Sequence, residues 1–192
     1  MLVIEKRWIR KHTLEAVIDG TQQNHLRGGT LNVVGIAGAF AACTKTMEHR
    51  KKKTVALYKR LENFMSWISS KATVLPYSKY KQGDEDSHVV VLLGPQLSQR
   101  RSRLPTTLML AFINHDRPSL CNVKIKKQLH DRGIIVSVGS ACNTSSKYAS
   151  HVMSAIGAGK DIKRAVIRIS ISDETSTKDM DALKSALTSV FM

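Results

Sequence analysis

A cysteine ends a run of small residues in segment 136–142, which reads Val-Ser-Val-Gly-Ser-Ala-Cys. These small side chains leave little to cover the thiol of Cys142, and the polar stretch 143–150 that follows is suited to movement. Cysteine is nucleophilic as the thiolate, which a cation such as Lys147 or a helix N-terminus favours. The pattern indicates a reactive thiol, with the alternative that Cys142 is a small buried apolar residue.

Arg168 stands in the alternating segment 166–171, Val-Ile-Arg-Ile-Ser-Ile, which is typical of a strand. A guanidinium within an apolar strand is costly unless it meets a carboxylate or lines a cavity. Arg168 is therefore either an outward-facing residue of an edge strand or a bidentate clamp for the α-carboxylate of a substrate.

Thr30 ends the run Arg-Gly-Gly-Thr, directly before a segment with the pattern of a helix. Backbone N–H groups and a hydroxyl in front of a helix bind phosphate well. Two glycines before a threonine are also ordinary turn chemistry, so both interpretations of Thr30 stand.

The elements that must position these residues alternate between helices and strands. After a polar loop at 20–30, Asn32 is placed to cap a long helix that extends to about Trp67. Strands are predicted at 1–4, 89–93, 106–112, 134–137 and 166–171, and further helices at 119–132, from 151 and at 176–191. This order predicts an α/β or α+β sandwich.

The composition fits a globular protein with one large domain, or a small domain plus part of another, in 192 residues. The opening apolar stretch 1–4 is too short for a signal peptide or a membrane span. Three separated cysteines without C-x-x-C spacing predict reduced thiols and no zinc site. We therefore expect a cytoplasmic protein that is not bound to a membrane.

The formal charge of +15 is the most unusual feature of the composition and suggests binding to a polyanion such as nucleic acid. Much of the excess lies in segment 45–60 and in Arg100, Arg101 and Arg103. Charge runs are more often solvated helix faces, and the few aromatic residues do not suggest a base-stacking platform.

Four segments occur in a characteristic order: GTQQNHLRGGTLNVVGIAGAFAA at 20–42, LPTTLMLAF at 104–112, VSVGSACNTSSKYASHVMSAIG at 136–157 and IRISISDETSTKDMDAL at 167–183. Together they resemble the C-terminal half of cysteine desulfurases of the NifS/IscS type, in the class V aminotransferase group of pyridoxal-phosphate enzymes. The resemblance implies the C-terminal domain of a fold type I transferase plus a remnant of its large domain. It divides the chain into that remnant (1–31), a connecting helix (32–70) and a small domain with the cysteine loop (71–192).

The resemblance also implies a role for each matching residue. Cys142 would take the sulfur of L-cysteine as a persulfide, with alanine as the other product, and Arg168 would hold the substrate carboxylate. Thr30 would reach the phosphate of pyridoxal phosphate in the partner subunit, which implies a homodimer. His151 would have a structural role in the loop-closing motif. The long spacer after Cys142 resembles the spacer of the family branch that carries sulfur to a scaffold protein for iron–sulfur assembly.

The sequence departs from the family in one large respect. The Schiff-base lysine of the family lies in a Ser-x-His-Lys motif upstream of the phosphate threonine, and that motif has no counterpart here. His49 with Lys51 follows Thr30 and is rejected as a substitute. There are also milder changes. Gly28 replaces the usual serine, Gln23 replaces the usual glutamate, and residues 172–174 replace a turn that commonly contains glycine.

Three explanations of the missing motif are possible. The chain is a fragment of a longer protein, half of a split enzyme, or a shortened relative that does not catalyse the reaction. The isolated chain is expected to be inactive without an N-terminal half. The competing interpretations are a non-catalytic remnant and a basic binding module for nucleic acid or a scaffold protein.

Overall fold

The computed structural model describes residues 5–81, 86–138 and 151–191. The chain divides into two compact units, Met1–His49 and Arg50–Met192. The predicted strand at 1–4 lies outside the described residues. Among the described residues, no helix has both the length and the apolar character that crossing a membrane requires.

The first unit contains two short helical turns, α1 (Lys6–Ile9) and α2 (Gln22–His25), and the start of the long helix α3 (Val33–Ser69). Residues 23–25 have positive φ angles of 52°, 54° and 63°, so α2 is a left-handed turn inside the polar loop predicted at 20–30. Gly28 is the one residue classed as buried among the described side chains of this unit. The unit therefore has no apolar core within its described part.

Helix α3 begins as the sequence predicts. The Asn32 side-chain oxygen accepts a hydrogen bond from the Gly35 N–H at 2.9 Å, which confirms Asn32 as the N-cap. In the second half of α3, Leu57, Leu61, Phe64 and Ile68 recur at helical spacing and are almost completely buried. That half therefore contributes one apolar face to the core of the second unit.

The second unit is built on a four-stranded mixed sheet with strand order β1-β2-β3-β4. The strands are β1 (Thr73–Pro76), β2 (His88–Leu93), β3 (Thr107–Asn114) and β4 (Val166–Ser170). β1 and β2 are parallel, whereas β3 is antiparallel to both β2 and β4. This is the α/β class that the sequence predicts, although β1 was not foreseen.

Helices cover both faces of this sheet. The helices are α4 (Asn122–His130), α5 (His151–Ala155), α6 (Lys160–Ala165) and α7 (Thr177–Phe191). One apolar cluster, the first core, joins one sheet face to α3, α4 and α7; it includes Phe64, Phe112, Leu129, Ile167 and Leu187. A second core joins the other face to α5 and α6; it includes Val91, Ala111, Met153, Ile162 and Val166.

Two sequence predictions need correction. The predicted strand at 134–137 is a single isolated bridge at Ser137, because only this residue pairs with β4. Helix α4 is shorter than the predicted 119–132. Gly133 follows it with a φ of 76°, a left-handed conformation that suits glycine and does not continue the helix.

Candidate substrate-binding site at Arg168

Arg168 lies in the middle of β4, where its antiparallel partner on β3 is Met109. Successive residues of a strand point to opposite faces, so Arg168 shares a face with Val166 of the second core. Met109 packs against the same core. The arginine is half-buried, whereas Val166 and Ile167 beside it are buried. It therefore stands at the margin of the second core, neither fully solvated nor enclosed.

The guanidinium of Arg168 is lightly engaged. Its Nη2 donates a hydrogen bond to the Ser137 hydroxyl at 3.4 Å. Within ranges 5–81, 86–138 and 151–191, the ion pairs found involve other residues, and Arg168 meets no carboxylate. Since a guanidinium carries five N–H donors in a planar fork, most of them remain available to a carboxylate ligand.

Ser137 fixes the chain against β4 at this point. Its N–H donates to the Arg168 carbonyl oxygen at 3.1 Å, and its own carbonyl oxygen accepts from the Arg168 N–H at 2.7 Å. No role for Ser137 is evident from the sequence alone. The available signal was its alternation with Val136, which is buried in the first core and so turns Ser137 toward the other face.

Cys142 and Lys147 lie outside the described residues, so the structure does not place either of them. The residues that flank them are placed. On one side Ser137 bridges to Arg168, and on the other side α5 begins at His151 and buries Met153 in the second core. The described residues on either side of this segment thus include Ser137, which pairs with Arg168, and Met153, which packs in the core on the sheet face of Arg168. The side chain of His151 is not described.

Thr30 belongs to the first unit, and its side chain is exposed. The Arg27 guanidinium donates to the Thr30 carbonyl oxygen at 3.0 Å and to that of Gly29 at 3.3 Å, which holds the loop in place. Gly28 is tightly enclosed: a Cβ there would lie 2.1 Å from the Asp19 carbonyl oxygen, so a serine does not fit without a shift of backbone. Because the side chain of Thr30 is exposed, its hydroxyl is accessible to a phosphate.

The described residues do not fit pyridoxal phosphate on their own. A lysine that forms an imine with this cofactor has to lose its proton, which burial promotes. No lysine is buried among the side chains that the structure describes. Thr30 can contact only the phosphate group of the cofactor. The sequence has no Ser-x-His-Lys motif to bind the rest of the cofactor.

Several basic residues have local structural partners. Arg103 donates to the carbonyl oxygens of Pro95 (2.6 Å), Thr107 (2.9 Å) and Leu93 (3.1 Å), and burial lowers the pKa of its guanidinium. Arg100 pairs with Glu62 at 2.6 Å and lies 5.0 Å from the centre of the Tyr58 ring.

Lys53 pairs with Asp173, and the hydrogen bond from this lysine lowers the pKa of the Asp173 carboxyl. These contacts account for part of the positive charge that suggested a polyanion.

Curated relatives point to one enzyme family. No protein-family model matches the sequence. The chain is 28% identical over 176 residues to the cysteine desulfurase IscS of Dictyoglomus turgidum, a match that covers 91% of this chain and 39% of that protein. The cysteine desulfurase NifS of Azotobacter vinelandii is 28% identical over 165 residues, which cover 84% of this chain and 34% of the relative. The chain thus spans less than two-fifths of the length of these relatives.

Solved structures show the same likeness in fold. A NifS-like protein from Rickettsia africae superposes on 94% of this chain and 41% of its own with a TM-score of 0.61 and 23% identity. Another NifS-like protein matches 90% of this chain and 37% of its own, with a TM-score of 0.59 and 24% identity. The chain is therefore similar in sequence to a part of the curated cysteine desulfurases IscS and NifS, and its fold is similar to a part of two NifS-like proteins.

Proposed function

We propose that this chain serves in cysteine desulfuration, with Arg168 as the clamp for the carboxylate of L-cysteine and Cys142 as the sulfur acceptor. In the net reaction the C–S bond of L-cysteine breaks and an S–S bond forms on Cys142. The cysteine thiol and the Cys142 thiol together give alanine and a persulfide, so atoms and electrons balance. The similarity to curated cysteine desulfurases supports this choice of reaction.

The observation that carries the proposal is the Arg168 guanidinium. It is held in a sheet and half-buried, and within the described chain it has no carboxylate partner. A charge placed in this way at the margin of an apolar core usually has a partner. The carboxylate of an amino-acid substrate provides that partner and can bind in bidentate fashion.

Chain connectivity supports the pairing of Arg168 with Cys142. Cys142 is five positions after Ser137, which bridges to Arg168. A chain of that length reaches at most about 17 Å when fully extended. A thiol on this tether is therefore within range of a substrate that Arg168 holds.

The remaining parts of the proposal follow the family resemblance. Pyridoxal phosphate supplies the electron sink for such chemistry when it is bound, and Thr30 is proposed to contact its phosphate in a homodimer or in a complex with a complementary N-terminal half. The imine-forming lysine has to come from outside the 192 residues. We further propose that the persulfide passes to an iron–sulfur scaffold or another acceptor.

The proposed division of the chain is a remnant of the large domain at 1–31, a connecting helix at 32–70 and the small domain at 71–192. Under this division Thr30 belongs to the large-domain remnant, while Arg168 and Cys142 belong to the small domain.

A binding module without catalysis is the second candidate, and the charge of +15 favours it. Neutralising Lys51, Lys52 and Lys53 together would then abolish a steeply salt-dependent affinity for nucleic acid. If the affinity is weak and does not depend on these lysines, this candidate fails.

The desulfurase proposal is tested by combining the chain with a complementary desulfurase N-terminal half, pyridoxal phosphate and L-cysteine. We expect alanine and a persulfide that forms on wild-type protein and is lost in Cys142→Ser, while cofactor binding stays intact. The assignment would be refuted if neither alanine nor sulfide forms, or if Cys142→Ser forms as much persulfide as the wild type.

A further inference from the structure

Ser137 and Arg168 are joined twice, once through the backbone and once through their side chains. The two backbone hydrogen bonds of 2.7 Å and 3.1 Å make the isolated bridge. The third contact, 3.4 Å from Arg168 Nη2 to Ser137 Oγ, involves the part of the arginine that would meet a ligand. Since the backbone bonds do not need a hydroxyl, the side-chain contact is a separate feature of residue 137.

Arg168 also has an apolar neighbour on its other side. The strand register aligns Leu93 with Met109 and Met109 with Arg168, and the bridge extends this row to Ser137. Leu93 and Met109 both belong to the second core or pack against it. An arginine stem can lie along such apolar surface while its charged end stays accessible. Met109 and Ser137 thus flank Arg168 on neighbouring chain segments.

We propose that Ser137 is a positioning residue for Arg168: its hydroxyl accepts one guanidinium hydrogen bond and holds the fork in the orientation that receives a carboxylate. The inference rests on the clamp role proposed for Arg168 and adds a residue to it. One N–H is occupied, and the other donors of the guanidinium stay free for the ligand.

The expected benefit of this contact is that the Arg168 guanidinium is already ordered before the carboxylate ligand binds. A free arginine side chain loses rotamer freedom when a ligand fixes it. A contact that already fixes the guanidinium moves this loss from the binding step to folding, which strengthens binding without a new ligand contact.

The test compares Ser137→Thr with Ser137→Val in the full chain. These side chains have nearly the same shape and both favour strands, so the hydroxyl is the difference that matters. The readout is the rate of rotation about the Nε–Cζ bond of Arg168, from NMR of its guanidinium resonances identified by their loss in Arg168→Lys. We expect a rate about three- to tenfold higher in the valine variant, as loss of one hydrogen bond predicts, and a near wild-type rate with threonine.

Backbone integrity is checked by hydrogen exchange of the Arg168 amide, which the bridge protects in each variant that keeps the fold. Ser137→Ala replaces the valine variant if valine opens the bridge, and Ser170→Ala, on the same strand face, is the matched control. An unchanged rotation rate in a hydroxyl-free variant that keeps amide protection would overturn the proposal. Because rotation is measured without the reaction, failure of sulfur transfer to Cys142 contradicts the desulfurase proposal and leaves this result unaffected.

Discussion

At the scale of single residues, Arg168 is the described side chain on which the proposed chemistry depends. In the complete enzyme, Arg168→Ala is expected to raise the KM for L-cysteine by about tenfold to a hundredfold, because charged hydrogen bonds to the carboxylate are lost. Steady-state kinetics measure this change. Arg164→Ala, which removes an exposed arginine from α6, serves as the control and should leave the KM within about twofold. An equal effect of both variants would contradict the clamp.

Arg103 illustrates a structural use of a basic residue. Arg103→Met is expected to destabilise the chain by about 2 kcal/mol, because three carbonyl oxygens lose a charged donor in a partly buried loop. Urea denaturation measures the difference. Arg101→Met, at an exposed neighbour, should change stability by less than about 0.5 kcal/mol.

The sequence predicted the strand setting of Arg168 but left open whether it faces water or a ligand. Alternation of apolar residues locates a side chain on one face of a sheet, yet it does not reveal which face another element covers. The contact with Ser137 depends on a pairing across 31 positions of sequence, which local patterns do not encode. Cys142 remains a prediction from sequence and resemblance, since it lies outside the described residues.

At the scale of elements, Ser176 and Asp179 form a capping box at the start of α7, in agreement with the helix predicted at 176–191. The Ser176 hydroxyl accepts from the Asp179 N–H at 3.1 Å, and Asp179 Oδ2 accepts from the Ser176 N–H at 2.8 Å. The hydrogen bond from the Ser176 N–H, with that from its hydroxyl, lowers the pKa of the Asp179 carboxyl.

This capping box predicts a pH dependence of stability. A carboxyl whose pKa is lower in the folded state stabilises the protein above its unfolded pKa and loses that effect as the pH falls through the folded value. The melting temperature of the wild type should therefore exceed that of Asp179→Ala near neutral pH, and the gap should narrow below about pH 4. Thermal melts between neutral and acidic pH measure it, with Asp181→Ala as the control; a gap that does not depend on pH would contradict the prediction.

Helix α7 also tests the first core. Leu187 is fully buried, so Leu187→Ala is expected to cost about 3 kcal/mol through lost burial and a cavity. Chemical denaturation measures the loss, and exposed Ser185→Ala on the same helix should change stability little. A cost below about 1 kcal/mol would mean that α7 does not pack as described.

Other elements were harder to predict. Strong periodicity revealed α3, and continuous apolar runs revealed β2 and β3. β1 has four residues and mixed burial, and α6 has six residues, so neither carries a full period of pattern. Residues 134–137 are mostly apolar and were therefore predicted as a strand. The burial of Ile134 and Val136 instead comes from packing against the first core, Ile135 is exposed, and only Ser137 pairs with the sheet.

At the scale of the whole molecule, the charge and the coverage of relatives set the context for function. The chain corresponds to less than two-fifths of the IscS and NifS relatives, and the first unit has little buried surface of its own within its described part. The order of predicted elements indicated the α/β class, and the composition showed the excess of positive charge. The sequence did not predict the ion pairs of Lys53 and Arg100, because they join segments far apart in the chain.

The most direct test is mass spectrometry of the peptide that carries Cys142 after the chain reacts with L-cysteine, pyridoxal phosphate and a complementary desulfurase half. We expect this peptide to gain one sulfur atom, with the gain strongly reduced in Arg168→Ala and the Cys121 peptide unmodified. A sulfur atom that appears on Cys121 or Cys43 instead, or on Cys142 to the same extent without Arg168, would contradict the central claim.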